Sequence, residues 1–396
     1  MSEKKNVLLR CEHLVKEYPV DRKRSVHAVS DISLELYEGE GLALVGESGC
    51  GKSTLGRTLI RLHPSTSGKI YYKETEITSM KPSEFAPYRR QMQMIFQDPY
   101  ASLDPRMTVH DIIAEPLVTY KVCENKEALK KRVLELMDAV GVPGEFLYRY
   151  PHQFSGGQRQ RIGIARAIAL HPSLVICDEP VSALDVSVQS QVLNLLKDIQ
   201  AEYGLTYLFI SHDLSVVRFI SDRVCVMFLG KVCEIGDSEL IYREPLHPYT
   251  RFLINAIPVA DPTLRDTEKP LLQGEIPSPM NPPAGCRFHT RCPYATERCQ
   301  KEEPALRPVK GRMVASHHVG EYERIKMLLC ENDRYPESWI LIQIAGSIFL
   351  VIAKVKVPRD FWSKYLNKKG NDSCDRARSV KKNTINDIFN RVNSNI

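Results

Sequence analysis

The chain has 396 residues, 43% hydrophobic and 26% charged, ordinary values for a globular protein that can bury a large core. Its net charge of +6 is unevenly placed: residues 354–396 carry 11 Lys+Arg against 4 Asp+Glu (+7), which leaves −1 for residues 1–353. The body has no basic surplus of the kind nucleic-acid binders carry, so no nucleic-acid partner is expected.

The start, MSEKKNVLLRCEHLVKEYPV, has no apolar h-region of a secretory signal, which predicts a chain that stays in the cytoplasm. There its eleven scattered cysteines are thiols or metal ligands rather than disulfides. Up to about residue 257, short apolar runs alternate with amphipathic ones. ISLEL (32–36), GLALVG (41–46), MQMIF (92–96), LVICDE (174–179), TYLFISHD (206–213) and VCVMFL (224–229) are predicted strands. Helical patterns follow several of them, and the alternation predicts an α/β sheet. Between Gln97 and Phe154 the strands stop. TVHDIIAEPLVTYK and KEALKKRVLELMDAVG predict helices, so a helical insert is expected at about 98–168. PVADPTLRDTEKP is a Pro- and charge-rich linker, followed by a Cys/Pro-rich segment to about 320 and a tail over 321–396. In the tail, WILIQIAGSIFLVIA (339–353) has 15 residues, short of the ~20 that span a bilayer. A strand pair, an interfacial anchor beside the basic run and a read-through product all remain open. The Lys/Asn-rich end is predicted to be disordered. There is no internal repeat and no sustained heptad pattern.

GESGCGKST in LALVGESGCGKSTLGRTLI fits G-x-x-x-x-G-K-[ST] at Gly46, Gly51, Lys52 and Ser53. It follows a predicted strand and opens a predicted helix, the context the motif requires. Glycines let backbone N–H groups converge on phosphate oxygens, and the helix N-terminus adds its positive end. Lys52 is expected to reach the β- and γ-phosphates and Ser53 to ligate Mg²⁺. Gly46, Glu47, Ser48, Gly49, Cys50, Gly51, Lys52, Ser53 and Thr54 form the predicted ATP cradle. SLVICDEP ends an apolar strand in Asp178 and Glu179. After a phosphate loop, Asp178 suits the partner of a bound Mg²⁺ and Glu179 the base for an attacking water. Cys50, beside Lys52 and a helix N-terminus, is expected to be a reactive thiolate. FSGGQRQRIGIARAI (154–168) supplies a second serine–glycine helix start.

These motifs, in this order over residues 6–257, resemble the ATP-binding subunit of an ABC transporter. Gln97 in MIFQDP matches the loop that couples to membrane subunits and reaches Mg²⁺. FSGGQ matches the family signature at Ser155, Gly156, Gly157 and Gln158, with Phe154 in place of the usual Leu. SALD matches the D-loop at Asp185, FISHD the switch His212, and Tyr18 in KEYP the aromatic that stacks on adenine. The resemblance implies a P-loop NTPase cassette, an α/β fold with a RecA-like core, a β subdomain and the helical insert. It implies ATP hydrolysis with Mg²⁺, in which Glu179, His212 and Gln97 carry the chemistry. It also explains the second helix start. Two cassettes face head to tail, and the signature of one closes on the ATP held by the other's phosphate loop, with reopening on hydrolysis.

REPLHPYTRFLINAIP (243–258) and GEIPSPMNPPAGCRFHTRCPYATERC (274–299) resemble the C-terminal region of oligopeptide/dipeptide importer ATPases. The implied function is ATP-driven import of oligopeptides or dipeptides, at the cytoplasmic face of the membrane. Implied partners are a second ABC ATPase (a heterodimer or homodimer), two permease subunits and, indirectly, an extracytoplasmic peptide-binding protein. Similar cassettes serve nickel, sugars or antimicrobial peptides. A non-transport ABC ATPase of DNA repair or translation would show coiled-coil interruptions or two cassettes, and this chain has neither. In some family members such cysteines, with a fourth downstream, hold a [4Fe–4S] cluster, which makes Cys286, Cys292 and Cys299 candidate ligands. The fourth position falls in RMVASHH, where this chain has Ser316, a poor substitute for a soft thiolate. His317, His318 or Cys330 are the remaining donors, and free thiols in a small Pro-rich cap are the other reading.

Overall fold

Two long strands open the structure: β1 (Val7–Pro19) and β2 (Ser25–Tyr37) run antiparallel, with Leu9 opposite Leu36 and Tyr18 opposite Val26. This computed structural model describes residues 6–22, 24–257 and 274–319, and the backbone of four short strands between 337 and 356. The chain continues through β3 (Gly41–Val45) and helix α1 (Lys52–Leu59) to β4 (Ser67–Tyr72) and β5 (Thr75–Glu76). The outer strands form a four-stranded antiparallel sheet in the order β2-β1-β4-β5.

Helix α2 (Pro82–Gln91) leads into β6 (Met92–Ile95). Three helices follow: α3 (Val109–Thr119), α4 (Lys126–Ala139) and α5 (Gly156–Ile168). Each begins on a polar cap that satisfies a free N–H of its first turn. Thr108 accepts from Asp111 N, Asn125 from Ala128 N and Ser155 from Gln158 N. Their apolar faces pack together around Ile113, Leu117, Leu136 and Ile164, all fully buried.

The sheet resumes with β7 (Leu174–Asp178), α6 (Val186–Tyr203), β8 (Thr206–Ser211), α7 (Leu214–Ile220), β9 (Arg223–Phe228) and β10 (Lys231–Asp237). Helices α8 (Ser238–Arg243) and α9 (Pro248–Asn255) close this part. β9, β3, β8, β7 and β6 lie side by side and parallel. β3, β7 and β8 are buried at every residue, which is why they read as unbroken apolar runs. The register sets Val45 beside Ser211 and Asp178 beside Ile210. The residues after β3, β7 and β8 therefore emerge along one edge, where ligands of open parallel sheets bind.

The Cys/Pro-rich extension joins this sheet. After α10 (Glu297–Lys301) come β11 (Arg307–Val309) and β12 (Arg312–Val314); β12 pairs antiparallel with β10 and β11 with β12. Phe288 of the extension sits 5.3 Å from the rings of both Phe228 and Tyr249. Residues 320–396 form a second unit. In it Ile342–Ile344 pairs with Ser347–Phe349 and Glu337–Ser338 with Val355–Lys356. Linker residues 258–270, Cys330 and the basic end lie outside the described residues. Among the described residues, no helix is long and apolar enough to cross a membrane.

Candidate active site

The loop after β3 doubles back before α1 on three glycines with positive φ. Two of them have no room for a side chain: a Cβ on Gly46 (φ 151°) would lie 2.2 Å from Met227 O, and one on Gly51 (φ 101°) 2.0 Å from Ala28 O. Lys52 is buried, and its Nζ donates to Gly46 O (2.7 Å) and Glu47 O (2.9 Å). A cation thus fills the centre of the loop, as the chemistry of a phosphate cradle requires. A cavity of about 440 Å³ opens beside it, lined by Tyr18, Val26, Ala28, Ser48, Gly49, Gly51, Lys52, Ser53, Thr54, Gln97, Glu179 and His212. Ten of these residues are expected from the sequence. Val26 and Ala28 are not, because nothing in their spacing marks the start of β2 as part of a nucleotide site.

Three members of the predicted cradle stand behind the loop instead of lining the cavity. Gly46 shapes the backbone. Glu47 points its carboxylate away, onto Arg291. Cys50 is 5% exposed and belongs to an apolar cluster with Leu44, Leu55 and Met227. The expectation of a Cys50 thiolate is therefore corrected. Burial pushes its pKa up from the ordinary value and outweighs the nearby Lys52 ammonium, which pulls it down.

Asp178 is fully buried at the end of β7. Its Oδ1 accepts from Ser53 Oγ at 2.6 Å and its Oδ2 from Arg57 Nη2 at 3.0 Å. Arg57 carries no motif signal in the sequence. Glu179, one residue on, has φ 46°, a conformation unusual for a residue with a side chain. Its Oε2 accepts from Gln97 Nε2 (2.9 Å), and its Oε1 lies 3.2 Å from His212 Nδ1. Four elements thus converge: the loop after β3, the ends of β7 and β8, and the segment after β6.

Mg²⁺ prefers oxygen donors, and the Ser53 hydroxyl, the Asp178 carboxylate and the Gln97 amide oxygen match that preference. The sulfur set fits a cluster poorly. A [4Fe–4S] cubane wants four thiolates. Cys286, Cys292 and Cys299 offer three, and Ser316 Oγ accepts from His318 N. Cys299 Sγ lies 3.3 Å from His318 Nε2. Burial raises the thiols of Cys286 to about 11 and Cys292 to about 12. Among the described residues no group of three or more His, Cys, Asp or Glu is arranged to hold a metal ion, so the cluster finds no support here.

The signature stands apart. Ser155 and Gln158 form a reciprocal cap: Gln158 N donates to Ser155 Oγ at 3.3 Å and Ser155 N to Gln158 Oε1 at 3.1 Å. Ser155 is exposed, and none of Ser155, Gly156, Gly157 and Gln158 lines the Lys52 cavity. A Cβ on Gly157 would meet Val188 Cγ1 at 2.4 Å, so the signature packs tightly on α6. Asp185 stands at the N-terminal boundary of that helix, without a side-chain capping hydrogen bond, and is exposed, beside Val186 at 78% exposure. Phe154 is buried and meets Phe146 edge to face at 5.7 Å, so the larger ring is accommodated in the insert's core.

Residues 29–182 match the ABC transporter family, and residues 233–299 match the oligopeptide/dipeptide transporter C-terminal region. The chain is 54% identical over 284 residues to the oligopeptide transport ATP-binding protein OppF of Escherichia coli (strain K12), covering 72% of this chain and 85% of that one. It is 47% identical to the di/tripeptide transport ATP-binding protein DppF of Pseudomonas aeruginosa (strain UCBPP-PA14), over 80% of this chain and 98% of that one. Among solved structures, the dimeric ATP-binding cassette MJ0796 in a post-hydrolysis state with ADP and Pi matches with a TM-score of 0.54 and 29% identity. That match covers 58% of this chain and 98% of MJ0796. The chain belongs to the ABC transporter ATP-binding family and carries the C-terminal region of its oligopeptide/dipeptide transporter branch.

Proposed function

We propose that this chain is the ATP-hydrolysing subunit of an importer of oligopeptides or dipeptides. It would work at the cytoplasmic face of the membrane, with a second ABC ATPase and two permease subunits, fed by an extracytoplasmic peptide-binding protein. The observation that carries the catalytic reading is the bracketing of Glu179 by Gln97 and His212 at the mouth of the Lys52 cavity. Lys52 turns from the loop carbonyls to the β- and γ-phosphates, and Tyr18 stacks on the adenine. Ser53, Asp178 and Gln97 hold Mg²⁺, which neutralises phosphate charge when bound. Arg57 keeps the Asp178 carboxylate oriented toward Ser53. Glu179 accepts the proton of the attacking water, and His212 and Gln97 aim its two oxygens. Ser155, exposed at the start of α5, serves the partner's ATP together with Gly156, Gly157 and Gln158. Asp185 is exposed at the start of α6, the helix on which the signature packs. The peptide cargo rests on the C-terminal region and on the relatives' names.

The test is uptake in cells lacking this gene. Labelled di- and oligopeptide uptake is expected to return with the intact chain and not with Lys52→Ala. Normal peptide uptake in the deleted cells, with loss of nickel or sugar uptake, would overturn the cargo.

A further inference from the structure

We propose that Arg291, in the C-terminal region, is a positioning residue for the phosphate loop, and that with Tyr249 it holds the loop in shape when Lys52 engages nucleotide. Glu47 is the residue through which the loop is held. Its backbone N–H donates to Tyr249 Oη at 2.8 Å. Its carboxylate accepts from Arg291 Nη1 (2.7 Å) and Nη2 (3.2 Å), a two-pronged contact. Such pairs fix geometry better than a point charge does.

Arg291 is itself firmly seated. Its side chain is 6% exposed, at the end of the short turn His289–Arg291. The preceding Phe288 locks that turn onto Phe228 and Tyr249. Lys52 ties the loop by binding Gly46 O and Glu47 O. Phosphates would draw that ammonium away from both carbonyls. The other ties are Cys50 N to Glu47 O at 3.3 Å within the loop, Gly230 N to Cys50 O at 2.9 Å, Glu47 N to Tyr249 Oη, and Arg291 to the Glu47 carboxylate. The last two reach Glu47 from α9 and from the C-terminal region. The pair has a second effect: Glu47 stays out of the cavity lining, and its negative charge is neutralised beside a site for a polyanion.

This inference rests on ATP binding in the Lys52 cavity. The experiment titrates the full-length chain with a fluorescent ATP analogue (mant-ATP) and Mg²⁺, and measures how far saturating ATP raises the melting temperature. Arg291→Ala is expected to weaken nucleotide binding about tenfold, some 1.4 kcal/mol, and to shrink the ATP-induced rise accordingly. In the assembled transporter KM for ATP should rise with little change in kcat. Arg291→Lys should recover part of the loss, since it restores the charge without the fork. Tyr249→Phe should weaken binding in the same direction. A purely structural arginine would lower the melting temperature with and without ATP alike and leave the affinity unchanged; that result overturns the proposal. Should Arg291→Ala not fold, Arg291→Gln carries the same test with the same two outcomes. Failure of the wild-type chain to bind the analogue would overturn the nucleotide site itself, a result distinct from normal wild-type binding with an unaffected variant.

Discussion

Glu179 is positioned by its backbone as much as by its neighbours. The left-handed φ of 46° turns the chain sharply after the fully buried Asp178, so two adjacent carboxylates face different tasks. One stays inside with Ser53 and Arg57; the other reaches the cavity mouth. A residue with a Cβ in that conformation costs of order 1–3 kcal/mol, and such strain collects at functional sites. The pairing separates the roles experimentally. Glu179→Gln keeps the shape and a hydrogen-bonding oxygen but removes the proposed base. Hydrolysis is expected to fall about 10²–10⁴-fold while ATP binding persists, because Lys52, Ser53 and Asp178 are untouched. Persisting ATP should trap the closed pair of cassettes, seen by sizing chromatography with MgATP and the partner ATPase. Near-normal hydrolysis by the variant, or no gain in the paired species, would assign the base elsewhere.

The elements that build this site differ in how openly the sequence announces them. β3, β7 and β8 are buried on both faces, so GLALVG, LVICDE and TYLFISHD are unbroken apolar runs, and their ends fall where the chemistry is. β1 gives no such signal. Its 13 residues mix Arg10, Glu12, His13, Lys16 and Glu17 with apolar ones, and four irregularities in its pairing with β2 break the two-residue period. Tyr249 and Arg291 lie in stretches that resemble the C-terminal region, but nothing in the sequence ties them to Glu47, 202 and 244 positions away. Helix α9 shows the same limit and offers a test. It starts on His247, whose Nδ1 accepts from Tyr249 N at 3.1 Å inside the core. An accepting nitrogen must be unprotonated, and burial drives the His247 pKa down to about 3 from 6.5. The neutral cap therefore stabilises the fold fully above pH about 6.5, and this contribution is lost as pH falls toward 3. His247→Asn keeps an oxygen acceptor at the cap and does not titrate. Melting temperature of the wild type should drop more steeply from pH 6.5 to 4 than that of the variant. Parallel curves would mean that His247 is not the group responsible.

At the scale of the whole molecule, the proposed head-to-tail pairing makes one cassette two half-sites. The signature residues do not line the Lys52 cavity. Ser155 and Asp185 are exposed on elements that pack against each other, with Val186 left bare beside them. An exposed polar helix start next to an uncovered apolar side chain suits the meeting with a partner's nucleotide. Ser155→Arg tests this arrangement. Losing the cap costs about 1 kcal/mol, which should leave the fold intact. The new side chain would stand where the partner's ATP has to enter, so closure fails there and transport should collapse. Because none of the signature residues touches the Lys52 cavity, this chain's own ATP affinity should stay nearly normal, while hydrolysis at the partner's phosphate loop falls most. Lys52→Ala should do the reverse and disable the pocket that the partner's signature completes. Photolabelling with an ATP analogue, read separately on each subunit of the assembled pair, distinguishes the two. If Ser155→Arg abolished labelling of its own chain and spared the partner's site, the signature would serve its own phosphate loop, and head-to-tail pairing would not be the source of the second helix start.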